Sequence, residues 1–429
     1  MKQHLRGAGA LGVSSLVIAL TSCSSTDAPH AASSAGASGA PATAGAGAGN
    51  AGNSGLAGTN NSAGNGASGS PGSAGSSGST SNAGNAGAVG GGGQPALGTC
   101  TPPADIEAPL DKLSQTGCMS ATEKTKFATR VIPYEVNSPL WSDGADKQRG
   151  MVIPSGQTVH VKDCNAEACS QKSDTGKWVF PVGTVMLKNF SFDNKLVETR
   201  LFVHHDAQTW VGYSYQWDEA QTEATIVPDE RRAVMFNTGT RTVPWNYPNR
   251  SDCMKCHNAP GGSTIGPQTR QMNRTVGAAN QIDTLKGMPF FDKPPTAPYQ
   301  AALIAPYPSQ SGSPPADATI EQKARSYMEA NCAFCHRPDD TDLGQVKVDL
   351  RLETAFKDMN LCNGPPVKGD QGDPSATLLT PGQPMKSITW LRVNALPGEG
   401  RMPQIGTAQV DTNGLKLLGD WISSIQSCP

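Results

Sequence analysis

The chain has 429 residues, a formal net charge of −2, 37% hydrophobic residues and 16% charged residues. A charge so close to zero gives no reason to expect nucleic acid or an anionic membrane surface as a partner. All 7 Trp, 7 Tyr and 10 Phe lie after residue 98, so the chain joins a segment without aromatics to an ordinary globular sequence. The latter is long enough for one large domain or two modest ones.

Residues 1–22 are predicted to be a secretion signal. Two basic residues precede a short apolar run from Leu11 to Leu20, which is too short to span a bilayer. The sequence Leu20-Thr-Ser-Cys23 resembles the lipobox of bacterial lipoproteins, which implies cleavage before Cys23 and a lipid on its sulfur. Ser24 is not acidic, and this favours anchoring to the outer rather than the inner membrane. The alternative is an ordinary signal peptide with an accidental cysteine.

Residues 23–98 form a low-complexity segment of Gly, Ala, Ser, Asn, Thr and Pro. Such a segment cannot bury enough apolar surface to offset the entropy lost on ordering. We therefore expect a disordered tether between the lipid and the folded body.

Residues 99–250 are predicted to form a mainly β module. Apolar and polar residues alternate in several runs, and turn-forming pairs such as Ser155-Gly156 separate them. In the run from Trp210 to Trp217 the alternation assigns four residues to the core side: Val211, Tyr213, Tyr215 and Trp217. A small antiparallel sandwich or barrel-like module fits this pattern.

The motif Cys-x-x-Cys-His occurs twice, in the predicted first haem segment 251–316 and again in residues 317–429. The copies are Cys253-Met-Lys-Cys256-His257 and Cys332-Ala-Phe-Cys335-His336. With 11 Cys and 7 His in the chain, chance predicts about 0.005 copies of this attachment signature for haem c. On a helical turn, two thiols reach one edge of a porphyrin and the next residue brings an imidazole under the iron. The alternative is a zinc site or two short disulfides.

Residues 317–429 are predicted to hold the second haem between two helices. Thr319 and Gln322 make a capping box before the second motif, and Asp411 or Thr412 can cap a last amphipathic helix. A helix entering the motif and a C-terminal helix crossing it resemble the layout of a class I cytochrome c.

The sixth iron ligand of the second haem is predicted to be Met402. Arg401-Met402-Pro403 resembles the Met-Pro ligand loop of class I cytochromes, and a thioether opposite His336 favours Fe(II). For the first haem, opposite His257, four possibilities stay open. Met272 is slightly preferred, and the others are Met288, His205 and an iron without a sixth protein ligand.

Six cysteines remain after Cys23 and the four motif cysteines are set aside. An even remainder in an oxidising compartment indicates three disulfides. Proximity in the sequence favours Cys100–Cys118 and Cys164–Cys169, which leaves Cys362–Cys428.

From about residue 130 to its end, the chain resembles a family of dihaem bacterial c-type cytochromes, some of which are lipoproteins. The resemblance rests on both Cys-x-x-Cys-His motifs and on several further segments: Tyr134-Glu-Val-Asn-Ser-Pro-Leu-Trp-Ser-Asp143, Phe180-Pro-Val-Gly183, Gly212-Tyr-Ser-Tyr-Gln-Trp217 and Asp349-Leu-Arg351. It implies an α+β fold, in which an antiparallel β module precedes a mainly α-helical, cytochrome c-like haem region. It also implies two covalently bound haem c groups.

The function expected from this resemblance is electron transfer on the periplasmic side of a bacterial membrane. The partners would be redox proteins, either a dehydrogenase or a terminal acceptor, and the protein would face the periplasm or the cell surface. The competing hypothesis is a dihaem peroxidase or a related haem oxidoreductase with one open iron. Such an enzyme needs acid and base groups beside the open site, and the sequence shows no His or Glu clearly placed for that role.

Overall fold

The computed structural model describes residues 100–101, 103–305, 317–338 and 347–429. The predicted signal peptide 1–22, the lipidation site Cys23 and the tether 23–98 lie outside these residues. The described residues all fall within the unit Ala86–Pro429. The predicted β module, first haem segment and second haem region are therefore parts of one compact body.

The described residues contain twelve strands and six α-helices. The strands are β1 (Ile132–Tyr134), β2 (Asp146–Val152), β3 (His160–Val161), β4 (Trp178–Val179), β5 (Val185–Phe192), β6 (Lys195–His204), β7 (Trp210–Trp217), β8 (Ala224–Ile226), β9 (Arg232–Asn237), β10 (Thr242–Tyr247), β11 (Thr275–Val276) and β12 (Ala279–Asn280). The helices are α1 (Arg250–Cys256), α2 (Thr269–Met272), α3 (Gln281–Lys286), α4 (Ile320–Asn331), α5 (Ile388–Asn394) and α6 (Thr412–Ser424). Antiparallel sheets combined with a few helices make this an α+β protein, as predicted.

The β module is built on one six-stranded antiparallel sheet with the strand order β1-β2-β5-β6-β7-β8. The short pairs β3–β4, β9–β10 and β11–β12 lie outside it. Most neighbours in the large sheet follow one another in sequence, because short turns suffice to join antiparallel strands.

Both faces of the large sheet are buried. Val211, Tyr213, Tyr215 and Trp217 pack into one core, as the alternation in β7 predicts. The other face was expected to be the outer one, yet its residues in β7 are almost all buried too. The reason is tertiary, because α1 packs against β7 and covers that face.

The region after residue 317 is held by packing between its first and last helices. Thr319 and Gln322 form the predicted capping box of α4, and the Asp411 side chain accepts a hydrogen bond from Gly414 N at 2.9 Å at the start of α6. α4 packs against α6, and Met328 and Trp421 share their core. Each such large buried side chain contributes about 1.5–3 kcal/mol.

This region is less helical than predicted. Its three helices have 12, 7 and 13 residues and are joined by long irregular segments with single 3₁₀ turns. Gly and Pro are frequent between α4 and α5, as in residues 363–366 and 381–384, and both residue types disfavour a continuing helix.

The six described cysteines outside the motifs pair as predicted. The disulfides are Cys100–Cys118, Cys164–Cys169 and Cys362–Cys428, with Cα separations of 4.7, 5.4 and 5.7 Å. The last of them ties the chain after α6 to a loop 66 residues earlier. Closing a loop of that length stabilises the fold by about 4 kcal/mol through the entropy of the unfolded chain. No helix in the described ranges combines the length and the apolar character needed to cross a membrane.

Candidate haem sites

The first motif occupies the end of α1 and the residue that follows it. Asn249 caps the start of α1 by accepting a hydrogen bond from Asp252 N at 2.9 Å. The helix ends at His257, whose backbone N–H donates to Cys253 O at 2.9 Å. Cys253 and Cys256 are three positions apart, so both thiols lie on one side of the helix. This is the local arrangement that two thioether links to one porphyrin edge require.

The close approach of α1 to the sheet depends on a glycine. A Cβ atom built on Gly212 in β7 would lie 2.7 Å from the Sγ and 3.1 Å from the Cβ of Cys253. Contacts that short do not occur between real side chains, so a larger residue there would displace the cysteine. Gly212 therefore makes room for the thiol of Cys253.

The imidazole of His257 is oriented and neutral. Its Nδ1 lies 2.6 Å from the carbonyl oxygen of Ser263. Because a carbonyl can only accept, Nδ1 carries the proton and Nε2 presents a lone pair. Burial, reinforced by the charge of Lys188, lowers the pKa of His257 to about 3. A neutral imidazole with Nδ1 donating to a backbone carbonyl is the usual state of a metal-binding histidine.

A cleft of about 1060 Å³, partly open to solvent, lies between the first motif and the sheet. The ring of His257 packs against Phe202 of β6 with centroids 4.3 Å apart. Besides the three motif residues, the cleft lining includes Met186, Lys188, Arg200, Phe334, Pro403 and Ile405. The cleft is therefore mainly apolar, is large enough for a cofactor, and is bordered by residues from distant parts of the chain.

The sheet face beside this cleft carries two neighbouring basic side chains. Arg149 of β2 and Lys188 of β5 are direct register partners and line an adjoining cavity of about 840 Å³. Neither of them forms an ion pair with another described residue, whereas Arg200 is held by Glu198 at 2.7 and 2.9 Å. Burial and the charge of Arg149 lower the pKa of Lys188 to about 7. Two adjacent basic side chains with no direct ion-pair partner in the described part of the chain fit a dianionic group such as the propionates of a haem, whose charge would favour the protonated form of Lys188.

The second motif follows α4 directly. Cys332 N donates to Met328 O at 2.8 Å, and His336 N donates to Cys332 O at 2.9 Å, so the motif continues the helical turn. A cavity of about 710 Å³ lies beside it. Its lining includes Cys332, Cys335, His336 and Met402. The structure thus brings the predicted ligand Met402 and the motif histidine to the same cavity, although 66 positions separate them in the sequence.

The predicted ligand Met272 lies elsewhere. Its side chain is fully buried, and its sulfur accepts a hydrogen bond from Gln281 Nε2 at 3.3 Å. It is not among the residues that line the cleft beside His257. The structure therefore does not bring Met272 to the cleft of the first motif.

The other candidates for the first site are also absent from the cleft lining. Met288 packs at the edge of the same apolar cluster as Met272. The Nε2 atom of His205 lies 2.9 Å from the hydroxyl of Tyr213, which belongs to the opposite face of the sheet.

Two donor side chains that do line the first cleft were missed in the sequence. Met186 and Lys188 both line the cleft from β5, whereas the predicted ligands were Met272 and Met288, which follow the motif, and His205. In a strand that begins near Val185, Met186 and Lys188 are two positions apart and therefore lie on one face. That pattern was visible, but nothing in it indicated which helix would cover the face.

Comparisons with known proteins found no match. No protein-family model matches the chain, and no curated protein or solved structure shows significant similarity to it. In the described ranges, no three His, Cys, Asp or Glu side chains are grouped as a metal site would need. A structural zinc site would require four such ligands.

Proposed function

We propose that this protein is a dihaem c-type cytochrome that transfers electrons outside the cytoplasm. The observation that carries the proposal is the second site, where the Cys-x-x-Cys-His motif and Met402 line one cavity. A porphyrin attached through Cys332 and Cys335 would have His336 and Met402 available as axial ligands. A bound haem supplies reversible one-electron chemistry at its iron, and the thioether ligand favours the reduced state.

At the first site, haem attachment, iron binding and charge neutralisation would be provided by a different set of residues. Cys253 and Cys256 would form the thioether links, and Nε2 of His257 would bind the iron because Nδ1 is engaged with a backbone carbonyl. Arg149 and Lys188 would neutralise the propionates. Met186 lines this cleft with His257, and we infer that it is a better candidate for the sixth ligand than Met272.

The cytochrome c-like interpretation of residues 317–429 remains part of the proposal. It is supported by the packing of α4, which leads into the motif, against the C-terminal helix α6. The loop that carries Met402 lies between the motif and α6, in the chain order that the class I layout requires.

We also propose that the protein is exported and anchored to lipid through Cys23. Three disulfides favour an oxidising compartment. The segment 23–98 would let the body reach redox protein partners, a dehydrogenase on one side and a terminal acceptor on the other, from an outer-membrane anchor.

One observation favours the second candidate, a dihaem peroxidase or related oxidoreductase. The preferred ligand of the first haem, Met272, does not line the cleft beside His257. If Met186 does not bind the iron, the first site is left with an exchangeable position.

The test is to produce the protein with its leader in a bacterium that attaches haem c, and to measure haem per chain by the pyridine haemochrome method. We expect two haems in the native chain and one when both cysteines of either motif are changed to alanine. The matched control replaces Cys164 and Cys169 by serine, which removes a disulfide and should keep both haems. A native chain without covalent haem would overturn the proposal. Stoichiometric binding of carbon monoxide to one reduced haem would select the peroxidase-like alternative.

A further inference from the structure

The two attachment motifs touch each other, although they lie in different halves of the folded sequence. The side chains of Cys256 and Cys335 are hydrogen-bonded to each other. The Cys335 sulfur also lies 3.5 Å from Lys255 O, across 80 positions of the chain. Cys256 lines both the first cleft and the second cavity. The second cysteine of each motif therefore stands at the boundary between the two sites.

A third residue fixes this contact. Asn258 Nδ2 donates to Phe334 O at 3.0 Å and to Lys255 O at 3.1 Å, while its Oδ1 accepts from Gly261 N at 2.6 Å. One side chain thus joins the backbone of both motifs. Gly261 allows the close approach, because a Cβ atom there would lie 3.2 Å from the Cβ of Phe334.

Each of the two touching sulfurs is an attachment point for a porphyrin edge. If Cys256 and Cys335 each hold one haem, the attached edges begin at neighbouring atoms. From this contact we infer that Cys256, Cys335 and Asn258 place the attached edges of the two haems side by side, so that the two sites would form one coupled redox pair with direct electron exchange. The inference rests on the proposed function and adds to it how the two sites act on each other.

The exchange needs no further reactant. With haem bound at both sites, one electron would leave one iron and reduce the other, and no covalent bond would form or break. Such a pair would accept two electrons in succession through whichever site a donor protein reaches. An acceptor can withdraw them through the other site.

The same contact makes reduction of the two sites interdependent. An electron on one haem is a charge close to the other, in surroundings less polar than water. We expect it to lower the equilibrium constant for reducing the second haem by about tenfold, which corresponds to about 59 mV for a one-electron couple.

Circular dichroism in the Soret region tests the coupling without any activity assay. Two porphyrins in contact should give a band of paired positive and negative lobes in the native holoprotein. The two single-haem variants, each lacking the cysteines of one motif, should each give a simple band. The sum of their spectra should fail to reproduce the native one. The variant without the Cys164–Cys169 disulfide serves as the control and should keep the paired lobes.

A redox titration gives a second measurement on the same proteins. The remaining haem of a single-haem variant should be easier to reduce by about tenfold than the same haem beside a reduced neighbour. Two haems per chain with additive spectra and independent potentials would overturn the inference and leave the proposed function intact. Fewer than two haems in the native chain would overturn the proposed function, and the inference with it.

Discussion

Replacing Gly212 by alanine should weaken the first site selectively. The new Cβ atom would stand 2.7 Å from the Sγ of Cys253, so either α1 or β7 must shift by several tenths of an ångström. Gly212 lies in a regular strand, and alanine is compatible with that backbone, so the effect comes from the clash alone. Overpacking of this kind costs about 1–3 kcal/mol. In a body of this size we expect a decrease in Tm of several degrees.

Haem content gives the more specific measurement. Because the clash displaces the thiol of Cys253 away from the sheet, the variant should carry between one and two haems per chain, and the second motif should keep its full load. Gly266→Ala is the matched control, since its Cβ would come no closer than 3.8 Å to a neighbouring atom. A Gly212→Ala protein with two haems and an unchanged Tm would refute the argument that this glycine makes room for attachment.

Three further substitutions test the ligands and the sheet. Met402→Ala should abolish the sulfur-to-iron charge-transfer absorption of one haem. The control Met385→Ala, at a side chain that is 72% exposed, should keep this absorption. An unaltered band in the Met402→Ala protein would contradict the assignment of Met402 as a ligand. Met186→Leu should remove the sulfur-to-iron absorption of the other haem, because Met186 lines the cleft beside His257. Met272→Leu should leave that absorption unchanged. The reverse result would support Met272 as the sixth ligand. Glu198→Gln should lower the free energy of unfolding by about 3 kcal/mol in urea denaturation, because the buried carboxylate is the ion-pair partner of the partly buried Arg200 guanidinium. A loss below about 1 kcal/mol would show that solvent compensates the guanidinium.

The sequence was most informative where the controlling interactions are local. The capping box of α4 involves residues three positions apart, and the inward face of β7 follows from simple alternation. The disulfides were predicted because two pairs are close in sequence and the third remained by elimination. Local rules failed for the opposite face of β7, because its burial depends on α1, a helix that begins 33 residues after the end of that strand.

The predicted iron ligands show the same difference between local patterns and tertiary packing. Met402 was found because it follows its motif in a familiar order, and it does line the cavity of His336. For the first site the preferred candidate, Met272, also follows its motif, whereas the methionine that lines the cleft is Met186, which precedes it. Periodicity assigned Met186 to one face of a strand, but a strand face has no partner until the chain has folded.

The sequence by itself determined the covalent chemistry proposed for this protein. Two thiols and an imidazole within five residues form an attachment site on any helical turn, so the doubled motif needs no tertiary information to predict two haems. The tertiary structure decided how the two sites differ and how they meet. Contact between Cys256 and Cys335, and the basic sheet face beside the first of them, join segments far apart in the chain. Such contacts result from packing of whole elements, which no local pattern encodes.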